Sequence, residues 1–267
     1  LNQVQKDYEK QIDTFKKIKS MKTTLITGAT SGIGMATAKL FAAKGHKLIL
    51  CGRRTERLTQ LKEELNTEVH TLTFDVRDRE AVFKAIESIP SEFQDIDILL
   101  NNAGNAHGLS TFQNGNIDDW DAMMDGNVKG LLYVTKAILP GMIERNSGFI
   151  VNIGSVAAKE VYPNGNVYCA SKHAVDALSK SMRIDLAGFN IRVSAIHPGA
   201  VETEFSEVRF KGNKSQAEKV YQGFDALQAQ DIAEIIDFVT SRPGHVNIED
   251  LVVYPTAQAN TTTLTRK

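Results

Sequence analysis

Cysteine is scarce in this 267-residue chain: there are two, Cys51 and Cys169. Neither stands in a C-x-x-C pair or beside a histidine cluster, so the spacing excludes a disulfide framework and a zinc site, and no metal is predicted. A reduced, cytoplasmic setting fits. An excess of either charge is also missing. Lys and Arg total 31 against 32 Asp and Glu, a net charge of −1, so nothing asks for nucleic acid or an anionic membrane as partner. No apolar run reaches the ~18 residues of a membrane helix. Leu1–Ser20 is rich in Lys, Gln and Asp and lacks the apolar stretch of a signal peptide. In it, Leu1, Val4, Tyr8, Ile12, Phe15 and Ile18 follow helical spacing, which suits an oligomer contact. An ancillary leader is the simpler reading.

From residue 21 to 267 there is no break rich in Pro, Gly and Ser and no internal repeat, so one domain is expected. β-rich runs at Thr23–Thr27, Lys47–Cys51, Val69–Thr73, Ile96–Asn101, Phe149–Ile153, Arg192–His197 and Leu251–Tyr254 alternate with amphipathic stretches. The latter include Gly34–Lys44, Thr55–Leu65, Asp118–Glu144 and Tyr168–Leu186. Strands alternating with helices predict an α/β fold with a parallel sheet covered on both faces. The stretch 202–230 is the least regular, and a segment beyond a late strand suits a substrate lid.

The sharpest local signal is Thr27-Gly28-Ala29-Thr30-Ser31-Gly32-Ile33-Gly34, after the first strand and before a helix. Gly28 permits a tight turn, Gly32 lets backbone approach a pyrophosphate, and Gly34 lets the helix pack close. The helix N-terminus then offers free N–H groups to the phosphates. The spacing G-x-x-x-G-x-G differs from the G-x-G-x-x-G of other dinucleotide folds. At the end of the second strand, where NAD sites carry an acid for the ribose 2′-hydroxyl, Arg53-Arg54 follow Gly52 instead. Two guanidinium groups suit a 2′-phosphate, so the expected cofactor is NADP(H). The alternative is a pair of solvated charges opening a helix. Asp75, followed by Val76, is placed to accept from the adenine amino group, or equally to cap the helix beginning near Asp78.

Tyr168 and Lys172 lie four apart at the start of a helix and share a face. A nearby ammonium is expected to lower the phenol's pKa and to make the pair a general acid or base. Ser155 ends the fifth strand, where its hydroxyl can hold a substrate oxygen. Asn127 sits within the predicted helix Asp118–Glu144, its amide available to fix a water for proton relay. A Tyr-x-x-x-Lys pair alone is common; its order after the glycine loop, Asn101–Gly104, Asn127 and Ser155 is what carries weight.

In that order the chain resembles the short-chain dehydrogenases/reductases, from about Met21 to about Gln258. The matching motifs are Thr27–Gly34, Asn101–Gly104, Gly126–Gly130, Ser155, Tyr168–Lys172 and His197-Pro198-Gly199. The resemblance implies a single-domain Rossmann fold with a doubly wound, seven-stranded parallel sheet. It implies Tyr168 as proton donor and acceptor, Ser155 as the orienter of the carbonyl, Lys172 on the nicotinamide ribose and Asn127 in the relay. Asp75, Val76, Asn102, Ala103 and Gly104 would line the adenosine side of the cofactor, and Pro198, Gly199, Val201 and Thr203 the nicotinamide. It also implies a homotetramer. Two positions depart from the pattern: His197 stands where Asn is frequent, and Cys169, read as a small buried hydrophobe, where small residues are usual.

Stretches outside those motifs are similar to bacterial and yeast enzymes that oxidise 3-hydroxy acids such as serine and allo-threonine with NADP. They include Gly52–Leu58, Leu139–Met142, Gly165–Tyr168, Glu204–Gly212 and His245–Ile248. The implied partner is a small hydroxy acid or its oxo acid. Its carboxylate needs a cation, for which Arg209 is the candidate and Lys211 a weaker one; the alternative pairs Arg209 with Glu204 or Glu207. A 3-oxoacyl or hydroxysteroid reductase is the rival within the family, but the Glu-, Arg- and Lys-rich run Phe205–Lys214 favours a small polar substrate. A dinucleotide-sensing protein without turnover is the rival from another class, and the complete Asn127, Ser155, Tyr168, Lys172 set argues against it.

Overall fold

The five-residue run Thr23–Thr27 is buried along its whole length, as a central strand covered on both faces must be. The structure, a computed structural model, describes residues 21–267; the helical face read in Leu1–Ser20 lies outside the described residues. In chain order the main elements are β1 (Thr23–Thr27), α1 (Gly32–Ala43), β2 (Lys47–Gly52), α2 (Thr55–Glu64), β3 (Val69–Thr73), α3 (Arg79–Glu87) and β4 (Ile96–Asn101). Then follow α4 (Ile117–Met124), α5 (Gly130–Glu144), β5 (Gly148–Ile153), α6 (Asn166–Leu186), β6 (Ile191–Pro198) and β7 (Val201–Glu202). The chain closes with α7 (Phe205–Arg209), α8 (Lys214–Tyr221), β8 (Leu227–Gln228), α9 (Ala229–Thr240) and β9 (Asp250–Val253).

The main sheet has seven strands in the order β3-β2-β1-β4-β5-β6-β9, all parallel. Its two faces are built by the two-residue period of each strand. Ile26, Leu48, Leu50, Ile98 and Leu100 point to one side, against Phe41 of α1 and Ile232 and Ile236 of α9. Leu25, Ile49 and Leu99 point to the other, against Val134, Ile138 and Met142 of α5. This is the doubly wound Rossmann arrangement. The order reverses between β1 and β4, and that switch point opens a crevice at the carboxyl ends of the strands.

Three expectations change. The predicted helix Asp118–Glu144 is two helices, α4 and α5, joined by a π-helical turn at Asp125–Lys129 that buries Gly126 and Asn127. Such turns concentrate where a helix must aim a side chain. Asp75 caps nothing: Asp78 caps its own helix by accepting from the Ala81 N–H at 3.0 Å. The stretch 202–230 is mostly ordered. Strands β7 and β8 pair in parallel at its base, and α7 and α8 lie between them.

Phe41 is fully buried between α1, the sheet and α9. Phe41→Ala is expected to cost about 3–5 kcal/mol of unfolding free energy, the usual range for an aromatic deletion in a core. Chemical denaturation measures it; a loss below about 1 kcal/mol would contradict this packing.

Candidate active site

The crevice holds a cavity of about 770 Å³. Its walls contain every residue assigned from the sequence to cofactor or catalysis except Gly34 and Asn127, which stand behind the wall.

The glycine loop is shaped by two left-handed residues, Gly28 at φ 66° and Gly32 at φ 52°. Gly34 answers a packing need: a Cβ there would meet the Gly28 carbonyl oxygen at 2.5 Å. Asn102, expected to line the cofactor, also braces the loop. Its amide donates to the Thr27 and Gly28 carbonyls at 2.9 and 3.2 Å, while the Thr27 hydroxyl accepts from the Asn102 and Ala103 N–H groups. Ser31, at the N-cap of α1, makes no side-chain cap bond. Its hydroxyl instead accepts from Arg54 at 2.8 Å, so no Ser31 side-chain bond occupies the first-turn N–H groups of α1, and Ser31, Gly32 and Ile33 line the cavity.

Arg54 also donates to the Thr30 hydroxyl at 2.8 and 3.1 Å and to Glu204 at 2.8 Å. Arg53 is largely exposed, 3.6 Å from Asp75. Asp75 spends its oxygens on Arg77, accepting at 2.7 and 3.0 Å. Burial opposes ionisation of Asp75, but the hydrogen bonds and charge of Arg77, with Arg53 nearby, hold its carboxyl below the usual range. Two arginines, two hydroxyls and a helix N-terminus at one end of a long cleft form a donor set that fits a 2′-phosphorylated dinucleotide.

At the other end, Lys172 is buried with its ammonium on the Ile153 carbonyl at 3.0 Å. Burial lowers its pKa to about 8. Asn127 uses its side chain on the protein. Its Nδ2 donates to the Asn105 carbonyl at 2.8 Å and to the Ser171 hydroxyl at 3.0 Å, and its Oδ1 accepts from the Asn105 N–H at 2.7 Å. With both amide donors committed, the side chain can meet a water only as an acceptor at Oδ1, and it fixes the wall around Lys172. Gly104 lies against both, where a Cβ would be 3.0 Å from Asn127 Oδ1 and 3.5 Å from Lys172 Nζ.

Tyr168 is buried, and burial raises its pKa. The opposing influences are the charge of Arg209 and a hydrogen bond with Ser155. This corrects the expectation that Lys172 lowers it: the ammonium is turned to Ile153, and the cation over the phenol is Arg209, 4.8 Å from the ring centroid. Ser155 caps the short turn Val156–Ala158 by accepting from the Ala157 N–H at 3.1 Å.

Arg209 pairs with neither Glu204 nor Glu207. It donates to the Tyr162 hydroxyl at 3.1 Å and lies 5.3 Å from the Phe205 ring, and its buried Nε has no partner. Glu204 is taken by Arg54 and by Arg57 at 2.6 Å. Lys211 is engaged by Asp119 at 2.9 Å and stands outside the cavity wall, which removes it as a candidate for the substrate anion. Tyr162, Phe205, Arg57 and Glu204 were not assigned from the sequence. They come from the segment after β5, the excursion 202–228 and the α2 helix; Arg57, Glu204 and Phe205 fall in the matched stretches Gly52–Leu58 and Glu204–Gly212, which flagged the segments but gave these residues no role in the site, and Tyr162 falls in none.

His197 is fully buried, with Nδ1 3.2 Å from the Ser155 carbonyl oxygen and Nε2 3.5 Å from Asp176. Asp176, His197 and Asp250 cluster in the manner of a metal site. The ammonium of Lys159 is bonded to both carboxylates, so the cluster is a closed ion-pair network.

The model for short chain dehydrogenases matches residues 22–214. The chain belongs to the short chain dehydrogenase family. It is 48% identical over 236 residues to the NADP-dependent 3-hydroxy acid dehydrogenase YdfG of Escherichia coli O6:H1, covering 88% of this chain and 95% of the relative. It is 47% identical over 238 residues to sulfoacetaldehyde reductase 2 of Chromohalobacter salexigens, covering 88% and 94%. Among solved structures, the closed form of serine dehydrogenase complexed with NADP+ superposes with a TM-score of 0.88 at 45% identity, covering 92% of this chain and 99% of the other.

In this short chain dehydrogenase the buried ammonium leaves a pH signature. With its folded pKa near 8 and an unfolded value of ~10.4, Lys172 binds more protons in the unfolded chain between those limits. Its burial penalty is therefore full below about pH 8 and is relieved as pH rises toward 10. Urea unfolding of wild type and Lys172→Met at pH 7.5 and 9.5 is expected to show wild type gaining on the variant at the higher pH. A constant difference would contradict the depressed pKa.

Proposed function

We propose that this short chain dehydrogenase interconverts a small 3-hydroxy acid of the serine, allo-threonine or 3-hydroxypropionate type and its 3-oxo acid, using NADP(H). The observation that carries the substrate class is Arg209. Among the described residues no carboxylate pairs with it, its Nε is buried without a partner, and it stands beside Tyr168. A desolvated guanidinium without an anion binds a carboxylate strongly, and the Tyr162 hydroxyl and the rings of Tyr168 and Phe205 hold its fork in place. The likeness to an NADP-dependent 3-hydroxy acid dehydrogenase and to serine dehydrogenase complexed with NADP+ supports both cofactor and substrate class. A sulfonate presents the same charge and geometry to Arg209, so the likeness to a sulfoacetaldehyde reductase supports the same anion site.

NADP(H), when bound, supplies the hydride acceptor or donor. The glycine loop and Arg53–Arg54 hold its phosphates, and Pro198, Gly199, Val201 and Thr203 flank the reacting end. Arg209 takes the substrate carboxylate under the excursion 202–228, which serves as a lid. Ser155 holds the substrate oxygen, and Tyr168 exchanges the proton at its phenol oxygen. Because burial keeps Tyr168 protonated at neutral pH, reduction of the oxo acid has its proton donor ready, whereas oxidation needs the phenolate and gains with rising pH.

The exposed apolar side chains Ile117, Leu132 and Ile184 on α4, α5 and α6 support the homotetramer, whose interfaces would use those helices. The buried unpaired thiols Cys51 and Cys169 support a reducing, cytoplasmic setting.

Initial rates with NADP and NAD on L-serine, L-allo-threonine, 3-hydroxypropionate, 3-hydroxybutyrate and a hydroxysteroid test the reading. Hydroxy acids are expected to turn over with NADP and the steroid not. Arg209→Gln is expected to raise KM for the acids by about 10- to 100-fold, the worth of a lost charge-assisted pair of bonds. Turnover of the steroid alone, or an unchanged KM, would overturn the substrate class.

A further inference from the structure

The three arginines at the adenosine end of the cleft do not wait empty-handed. Glu204 reaches across from the excursion 202–228 and places one oxygen 2.8 Å from Arg54 and the other 2.6 Å from Arg57. The same Arg54 is braced by Thr30 and Ser31 of the glycine loop. A carboxylate with both oxygens on guanidinium groups is a small planar counterpart of a phosphate face. The two ion pairs are roughly 40% exposed, and pairs of that exposure add little to folding, so stability alone gives no reason for this placement.

We propose that Glu204 is an internal anion that competes with the cofactor's 2′-phosphate for Arg54 and Arg57, and so sets how strongly that phosphate is preferred while tying the lid to the adenosine end of the site. The proposal rests on the reading that Arg54 receives the 2′-phosphate. Two consequences follow from charge. A 2′-phosphate carries about two negative charges at neutral pH, so a carboxylate on the same guanidinium repels it, whether displaced or merely crowded. A 2′-hydroxyl carries none, and its binding is indifferent to Glu204. Departure of the carboxylate also removes a tether one residue before α7, the helix that ends in Arg209. Arrival of the 2′-phosphate thereby loosens the lid end that later receives the substrate anion. Burial opposes ionisation of Glu204, yet the bonds from Arg54 and Arg57 keep its carboxyl below the usual range, so it stays charged at neutral pH.

The test uses 2′,5′-ADP and 5′-ADP, which differ by the one phosphate, titrated calorimetrically into the full chain at low salt. Glu204→Gln is expected to tighten 2′,5′-ADP by about 3- to 10-fold and to leave 5′-ADP within about twofold, with the gain shrinking as salt is raised. Hydrogen exchange in Phe205–Arg209 of the wild type is expected to rise with 2′,5′-ADP and not with 5′-ADP. Equal effects on both nucleotides, weaker 2′,5′-ADP binding, or unchanged exchange would overturn the proposal. Arg54→Gln separates the two levels. It should erase the preference for 2′,5′-ADP; if the preference survives, the placement of the 2′-phosphate is wrong, and if it is erased while Glu204→Gln has no effect, only the role of Glu204 falls.

Discussion

A charged amine buried in a dry interior is costly, and the catalytic end of this molecule is organised around one. Lys172 reaches through the wall of α6 to the Ile153 carbonyl, where β5 ends. That contact requires α6 to lie close over the strand end and Gly104 to leave room beside the ammonium. Beside it, the π-helical turn before α5 lets Asn127 clamp the Asn105 backbone and bond Ser171, the neighbour of Lys172. Tyr168 is one helical turn away and inherits its position from the same packing. Lysine and tyrosine ordinarily have similar proton affinities; here burial draws the Lys172 pKa down and pushes the Tyr168 pKa up, which drives the two apart and keeps the proton on the phenol.

The same sheet supplies the opposite end of the cleft. β1 and β4 part at the switch point, and Thr27 and Asn102 sew the glycine turn to β4 with four hydrogen bonds. The donors proposed for the phosphates and the groups proposed to handle the proton therefore sit at one edge of the sheet. The excursion 202–228 is the part that differs in kind. It has its own two-stranded base, and it brings Arg209 over Tyr168 and Glu204 over Arg54. One segment thus touches both the substrate end and the adenosine end.

Much of this was legible in the sequence because it is local. β1, β3 and β4 begin and end where the β-rich runs of the sequence do; β1 is buried along its whole length, while the edge strand β3 buries only Val69 and Leu72. The glycine loop, Ser155, Tyr168 and Lys172 are read from spacing and order, and the fold brings them into one cavity. The illegible parts are tertiary. Nothing in Asp118–Glu144 announces a π-helical turn, because its cause is the distant Asn105 backbone and Ser171. The direction of the Tyr168 pKa depends on burial and on a guanidinium 41 residues later in the chain. Spacing suggested Lys172 as the influence; geometry names Arg209. Glu204 was weighed as a partner for its near neighbour Arg209, yet it joins Arg54, 150 residues away.

In the proposed reaction Tyr168 moves the proton while the rest of the site holds cofactor and substrate around it. Steady-state turnover of Tyr168→Phe, paired with NADPH binding by fluorescence titration, tests it most directly. Turnover is expected to fall by at least about 10²- to 10⁴-fold, the usual worth of a positioned general acid or base, with NADPH affinity within about twofold of wild type. Near-normal turnover in a variant that binds NADPH normally would contradict the account.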